Sequence, residues 1–336
     1  MELPIRILTQ APEYSAVVVD GAFDSPPPTL HLSHWPGNHT PAFLKHDLSS
    51  GIALAFVQLP NDLQQRLRAD AEAWVNSHYD TDGTLALFAL SKPRLALQHR
   101  QVILDAAAAG DFFRWPTDQA LALDAIVTGL SQSELSPLAR ELEGLVETQR
   151  WQRCSEHLME VLPTLLEGDI APYAALWEPI LERAKLDAKQ LEQCSTQRLP
   201  ELGLQLWRSS SDEADPGRHA LFQASPMEGA LVLSETPKGC RMRLVESTLT
   251  WFELASRSPR ERPDLVALAA ELNQREPNAG PDRWQAQPRE NPSPELWFGS
   301  QQQAAFAEHN PSQGWSGLPS DEILACVQRC FGSDSA

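Results

Sequence analysis

Long apolar stretches and basic residues are both scarce in this chain of 336 residues. The longest apolar runs, such as residues 52–57, fall far short of the roughly 20 residues that cross a bilayer, so the sequence predicts no membrane span. The start of the chain lacks a basic segment followed by an apolar one, so no secretory signal is expected.

The scarcity of basic residues gives the chain a strongly negative charge. It has 27 lysines and arginines against 45 aspartates and glutamates, and its formal net charge is −18. A surface of this sign repels phosphate backbones and anionic membranes, which makes nucleic-acid binding unfavourable. A small anionic substrate remains compatible with the sequence if metal ions or a few arginines reverse the charge locally.

Cysteine is also infrequent: the chain has five, an odd number, and they form no CxxC pair. This pattern favours reduced thiols and a cytoplasmic protein over a disulfide framework or a thiolate metal site. The sequence gives no signal for an oligomeric state.

The order of predicted elements indicates an α/β protein in two parts. In the first part, short β-branched or alternating runs such as residues 15–20 and 29–33 are interleaved with apolar helical segments. This interleaving predicts a mostly parallel sheet, and a helical extension carries the first domain to residue 197. Residues 198–336 are predicted as a smaller α+β domain whose short strands include 219–224.

The segment His78-x-Asp80-x-Asp82-Gly83 contains the residues best suited to chemistry. Side chains two apart on a strand point the same way, so His78, Asp80 and Asp82 are expected to share one face at the strand's end. One imidazole and two carboxylates suit Mn²⁺, Fe²⁺ or Mg²⁺. Gly83 is predicted to begin a helix whose amides favour an anionic substrate. The alternative is a solvated turn, since Asp-x-Asp-Gly is a common turn sequence.

Part of this segment is similar to the haloacid-dehalogenase phosphatases. Residues 80–85 (DTDGTL) match their D-x-D-G-T motif, which implies that Asp80 is the nucleophile and Asp82 the acid/base. That family also needs a lysine followed by an acidic metal motif. Here Lys185 comes after Asp169, which is the opposite order.

The segment also resembles the first motif of the DHH phosphoesterases, hydrolases that use two metal ions. In that motif a histidine or aspartate is followed by D-x-D-G at the end of a strand. The resemblance implies that His78, Asp80 and Asp82 bind metal. No Asp-His-His motif follows further along the chain.

An upstream segment, residues 30–41 (LHLSHWPGNHTP), resembles the strand, histidine pair and loop of the same family. His34 and His39 flank a Pro-Gly turn that could bring both rings to one site, so both are predicted as metal ligands and, with Asp80, as catalytic residues. Asn38 lies between them and is assigned to substrate binding.

Three residues outside these segments complete the predicted site. Asp111 follows Gly110 at a helix end and is a candidate metal ligand. Arg241 and Arg243 alternate along one predicted strand, and their guanidinium groups could clamp a phosphate or carboxylate by bidentate contacts.

The two segments HLSHWPGN and HYDTDG together resemble an uncharacterised bacterial family of unknown function. This resemblance covers about residues 15–115 and implies no established activity. It does imply that the two segments belong to one domain.

The sequence therefore predicts a divalent-metal-dependent hydrolase, with Mn²⁺ or Mg²⁺ as its cofactor. Its reaction would be hydrolysis of a small phosphorylated substrate through a metal-bound hydroxide. Two alternatives stay open: a phosphatase with Asp80 as nucleophile, and a non-catalytic binding or scaffold protein that keeps an enzyme-like fold.

Overall fold

The computed structural model describes residues 3–26, 29–132, 134–258, 260–278, 280–300 and 314–332. The chain forms two compact units. The first unit contains Met1–Glu182 and Phe252–Ser258, and the second contains Arg183–Trp251 and Pro259–Ala336. The sequence predicts one boundary at residue 197, whereas the units divide earlier and the chain returns once to the first unit.

A parallel sheet forms the centre of the first unit. Its strands are β1 (Ile5–Ile7), β2 (Val17–Val19), β3 (Leu30–Leu32) and β4 (Trp74–Asn76). In the part of the chain that the structure describes, they pair in the order β1-β4-β2-β3, and every pairing is parallel. The strands are short and strongly apolar, and Val17–Val19 is fully buried, as expected for a sheet covered on both faces. The predicted α/β class is confirmed.

Helices surround this sheet and extend beyond it. Their bounds are α1 (Ser49–Val57), α2 (Asn61–Arg68), α3 (Thr81–Ser91), α4 (Pro93–Gln98), α5 (Arg100–Phe112), α6 (Asp118–Gln132), α7 (Ala139–Leu142), α8 (Glu147–Leu166) and α9 (Ala174–Glu192), with 3-10 turns at Ala42–Leu44 and Ala171–Tyr173. The last of them, α9, crosses the boundary between the units. No helix in the described ranges is both long and apolar enough to cross a membrane.

The buried helix α3 places the HxDxDG segment inside the first unit. Every residue from Thr81 to Leu90 is buried, and the helix packs against α1 and α5. Its sequence, TDGTLALFALS, has no charged residue after Asp82, and a helix that is apolar on all sides belongs in a core. Asp80 caps the helix, because its Oδ1 accepts a hydrogen bond from the Gly83 amide at 2.9 Å.

The second unit is built on a mixed sheet. Its strands are β5 (Ser195–Leu199), β6 (Leu204–Ser209), β7 (Gly229–Thr236), β8 (Gly239–Glu246), β9 (Arg283–Ala286) and β10 (Glu295–Gly299), and its helices are α10 (Arg218–Ala224), α11 (Leu265–Arg275) and α12 (Ser320–Gly332), with 3-10 turns at Pro200–Leu202 and Thr248–Thr250. The order among the described strands is β5-β6-β7-β8-β10-β9, and only β6 and β7 pair in parallel.

One predicted strand of the second unit is a helix. Residues 219–224 lie in α10, which connects β6 to β7. Two parallel neighbours cannot be joined by a tight turn, so the connection must cross over the sheet, and α10 is part of that crossover.

Candidate metal centre

The acidic and histidine side chains of the first unit meet at one edge of its parallel sheet. Asp20 follows β2 directly, His34 comes two residues after β3, and His78 comes two residues after β4. Since the carboxyl ends of parallel strands lie at the same edge, the order of the strands brings these residues together. Asp82, in the first turn of α3, completes the arrangement.

Three of these residues form a set that we call the inner group: Asp20, His34 and Asp82. One potential ligand atom of each lies within 4.8 Å of the others. Nε2 of His34 is 3.4 Å from Oδ1 of Asp20 and 3.7 Å from Oδ2 of Asp82, and all three side chains are at most 1% exposed. Oδ2 of Asp111 lies 3.3 Å from the same nitrogen, so the predicted ligand Asp111 borders this group.

The outer group consists of Asp20, His78 and Asp80, and one potential ligand atom of each again lies within 4.8 Å of the others. Nε2 of His78 lies 3.2 Å from Oδ2 of Asp20 and 2.8 Å from Oδ2 of Asp80. The side chains of His78 and Asp80 are 20% and 36% exposed, so this group is accessible to solvent where the inner group is not. Asp20 belongs to both groups and offers one carboxylate oxygen to each.

The backbone of Asp20 adopts a conformation that few residues tolerate. Its φ is +52°, in the left-handed region where aspartate and asparagine are enriched among residues other than glycine. The Asp20 amide donates to the carbonyl of Leu32 at 3.1 Å, which helps to hold the turn in place. Strained backbone of this kind is concentrated at functional sites.

Sequence reasoning missed Asp20. The available signal was a single acid directly after the β-branched run VVV, at the carboxyl end of a strand. Such a residue belongs to no local motif.

His34 is oriented by its other ring nitrogen. Nδ1 lies 2.6 Å from the carbonyl oxygen of Asp47, so the tautomer that carries its proton on Nδ1 donates to that oxygen. The lone pair of Nε2 then faces the carboxylates, which is how a histidine ligand is usually held. The ring of Phe252 stacks on the imidazole, with centroids 3.8 Å apart and planes at 20°.

The first turn of α1 holds the carboxylate of Asp82. The amides of Ser49 and Ser50 donate to its Oδ2 and Oδ1 at 2.6 and 2.8 Å, and the Ser49 hydroxyl donates to Oδ1 of Asp20 at 2.7 Å. Each carboxylate oxygen has two lone pairs, so these bonds orient the acids and still leave an acceptor position on each oxygen.

Burial and the proximity of like charges shift the pKa values of the acidic residues in this cluster. Burial raises the pKa of Asp82 to about 6, with a further contribution from Asp20, and burial and the Asp82 carboxylate raise the pKa of Asp111 well above its ordinary value. Burial opposes the charged form of Asp20, but the adjacent imidazoles of His34 and His78 outweigh it and lower the pKa of Asp20. A bound cation would offset the repulsion among these carboxylates.

The structure brings together five of the predicted site residues: His34, His78, Asp80, Asp82 and Asp111. His39 lies elsewhere. Its side chain is 70% exposed, its Nε2 is 3.8 Å from Asp24, and its ring contacts His31 with centroids 5.1 Å apart. It belongs to neither metal group, because the turn at Gly37 (φ +78°) leads the chain away from the strand end.

Two residues assigned to substrate binding have structural partners instead. The side-chain amide of Asn38 donates to the Trp35 carbonyl at 2.8 Å and to Oε2 of Glu253 at 2.9 Å. The Gly83 amide donates to the Asp80 carboxylate, so it is not available to an anionic substrate. What Gly83 provides is space, since a Cβ at this position would stand 2.7 Å from Oδ2 of Asp20.

The predicted arginine clamp also has a different role. Arg241 and Arg243 lie on β8 of the second unit and are 5% and 1% exposed. Arg241 pairs with Asp215 at 3.2 Å, and Arg243 pairs with Glu295 at 2.7 Å. Both guanidinium groups therefore neutralise buried acids of that unit, which leaves them unsuited to an incoming phosphate.

Comparison with known proteins gives a family without an assigned activity. No curated protein matches the chain. A family model described as a family of unknown function (DUF6687) matches residues 4–336, well beyond the two motif-bearing segments of the sequence. The chain therefore belongs to this family of unknown function, DUF6687.

Proposed function

We propose that this protein is a divalent-metal-dependent phosphoesterase, a hydrolase that acts on a small phosphorylated substrate. The observation that carries the proposal is the pair of three-residue groups that share Asp20. One carboxylate common to two ligand sets is the arrangement expected where two cations lie close together.

The donor atoms fit hard divalent cations. Carboxylate oxygens and imidazole nitrogens, with no thiolate among them, suit Mn²⁺ or Mg²⁺. Nε2 of His34 and Oδ2 of Asp20 are buried and make no hydrogen bond of acceptable geometry with any described residue. Leaving buried polar atoms unsatisfied is costly, and coordination of one cation in each group would satisfy both atoms.

A bound cation would also offset the repulsion between the acidic cluster and a phosphorylated substrate. The cluster gathers four carboxyl groups in a chain whose net charge is −18, and a phosphorylated substrate would be repelled by it. When bound, a pair of divalent cations neutralises phosphate oxygens and lowers the pKa of water, the two requirements of phosphoester hydrolysis. The exposed face of His78 and Asp80 is where the substrate would approach, because the inner group is closed to solvent.

The resemblance to DHH phosphoesterases supports the proposal in part. His78, Asp80 and Asp82 match that family's first motif and are ligand candidates here. Asp20 and His34, which follow the upstream strands β2 and β3, would supply further ligands in place of a downstream Asp-His-His motif.

The geometry favours a ligand role for Asp80 over a nucleophile role. Its Oδ1 accepts the helix-capping bond from Gly83, and its Oδ2 lies 2.8 Å from His78. Asp80 and His78 thus present adjacent donor atoms in the outer group, which supports a ligand role for Asp80.

Metal analysis and hydrolysis assays test the proposal. Purified full-length protein would be loaded with Mn²⁺ or Mg²⁺ and assayed on 4-nitrophenyl phosphate and bis(4-nitrophenyl) phosphate. We expect metal-dependent hydrolysis that Asp20→Asn abolishes and Asp62→Asn, which changes an exposed aspartate, leaves intact. Metal binding without hydrolysis would indicate a non-catalytic binding protein, and equal activity in both variants would contradict the assigned site.

A further inference from the structure

The segment Phe252–Ser258, which we call the strap, joins the first unit although the residues on either side of it belong to the second. Phe252 and Leu254 are buried, whereas Ser256 and its neighbours are exposed. The contacts of the strap are concentrated on the segment that carries His34.

Three residues of the strap contact either His34 or Asp47, whose carbonyl oxygen faces the His34 ring. Phe252 stacks on the imidazole at 3.8 Å, and the Glu253 amide donates to the His34 carbonyl at 2.8 Å. The amide and hydroxyl of Ser256 donate to the two carboxylate oxygens of Asp47 at 2.8 and 2.5 Å. Asp47 is the residue whose carbonyl oxygen faces Nδ1 of His34. The strap thus fixes the ring plane, the backbone and the hydrogen-bond partner of this one histidine.

The carboxylate of Glu253 secures the loop that follows His34. It accepts hydrogen bonds from the Gly37 amide at 2.8 Å and from the Asn38 side chain at 2.9 Å, and it pairs with Lys45 at 3.4 Å. These contacts tie the loop next to the inner group to the strap.

Phe252 also closes the aromatic surroundings of His34. Its ring lies 6.1 Å from Phe112, the residue after Asp111, and 6.5 Å from Trp35. These rings lie beside an imidazole that is fully buried. Excluding water strengthens electrostatic interactions between the buried groups, including those of His34 with the carboxylates and with any cation they hold.

We propose that the strap is the element that positions His34 for a cation in the inner group, and that Phe252 is its principal positioning residue. The inference rests on the proposed metal centre and adds a segment that no ligand motif contains. Because binding and ordering are reciprocally linked, a cation in the inner group must in turn stabilise the docked strap. The outer group does not include His34, so its affinity is expected to depend on the strap far less than that of the inner group.

Metal-binding measurements on the full chain separate this role from general stability. Residues that orient a metal ligand typically affect affinity by 10–100-fold, so we expect Phe252→Ala and Ser256→Ala each to weaken one of two Mn²⁺ sites by about tenfold or more. The other site should keep its affinity. Phe252→Tyr, which retains the stacked ring, should restore binding. Phe43→Ala is the matched control, because Phe43 is 64% exposed.

Ser256→Ala removes no buried group, so it remains informative if Phe252→Ala fails to fold. A second readout is hydrogen exchange of the Glu253 and Ser256 amides, which Mn²⁺ should slow in the wild type and not in His34→Ala.

The outcomes are distinguishable. If the wild type binds two Mn²⁺ ions and all strap variants bind them equally well, the positioning role is overturned. If the wild type binds no divalent cation, the metal centre and the positioning role fall together. If the strap variants lose one site as expected and no phosphate ester is hydrolysed, only the phosphoesterase proposal fails.

Discussion

Replacing Asp20 by asparagine tests the central feature of the site, the carboxylate that both groups share. A ligand that binds the native state stabilises it by about 2.7 kcal/mol at 100 times its Kd, so two sites give about 5 kcal/mol. For a unit of this size, 1 kcal/mol shifts the melting temperature by about 2–4 °C, so saturating Mn²⁺ should raise that of the wild type by roughly 10–20 °C.

The expected shift for each variant follows from the group it belongs to. Asp82→Asn removes a ligand from the inner group and Asp80→Asn from the outer, so each should lose about half of the metal-induced shift. Asp20→Asn removes a ligand from both and should lose nearly all of it.

Calorimetry or a thermal-shift assay, with and without Mn²⁺, measures the metal-induced shift in melting temperature. Comparing each variant with its own metal-free form cancels any effect of the substitution on folding. Asp62→Asn should retain the full shift. A metal-induced shift in Asp20→Asn as large as in Asp80→Asn would refute the idea that Asp20 serves two cations.

Three other predictions concern packing, acidity and metal exchange. Gly83→Ala places a Cβ against Nδ2 of Asn76 and 2.7 Å from Oδ2 of Asp20, and it should lower the free energy of unfolding by about 1–3 kcal/mol, measured in urea. Burial raises the pKa of Glu246 to about 7 in the folded protein, so its carboxyl group binds a proton more tightly there than in the unfolded chain. Ionisation of Glu246 should therefore lower the free energy of unfolding by about 3 kcal/mol as pH rises from about 4.5 to 7. Unfolding curves at pH 5 and 8 measure this pH dependence, and Glu246→Gln should remove it. Because only the outer group is exposed, a chelator should withdraw one equivalent of metal quickly and the second slowly; a single fast phase would contradict the inner location.

Local patterns were sufficient to predict the fold class. Buried β-branched runs such as Val17–Val19 alternate with apolar helices, and this pattern depends only on neighbouring residues. Residues 219–224 (HALFQA) are short enough to form either a strand or a helix, so the local sequence does not distinguish the two. The parallel pairing of β6 with β7 determines that this segment is part of a crossover, and that pairing is a long-range property.

The candidate site was predictable only where its ligands share a motif. His78, Asp80 and Asp82 lie within the short segment 78–82, so their spacing alone indicates a ligand set. Asp20 becomes a ligand candidate because β2 lies between β3 and β4, an order that the sequence does not display. His39 shows the converse: it is close to His34 in sequence, yet one turn of backbone places it at the surface beside Asp24.

The chain path of the strap limits how this protein can be divided. A fragment ending at residue 182 or 197 would contain every candidate ligand from Asp20 to Asp111, and by composition it would look like a complete catalytic domain. It would nevertheless lack Phe252 and Ser256, which hold the ring of His34 and its acceptor Asp47. Fragments intended for biochemical work should therefore extend at least to residue 258, so that His34 keeps the ring and the hydrogen-bonded partner that hold it.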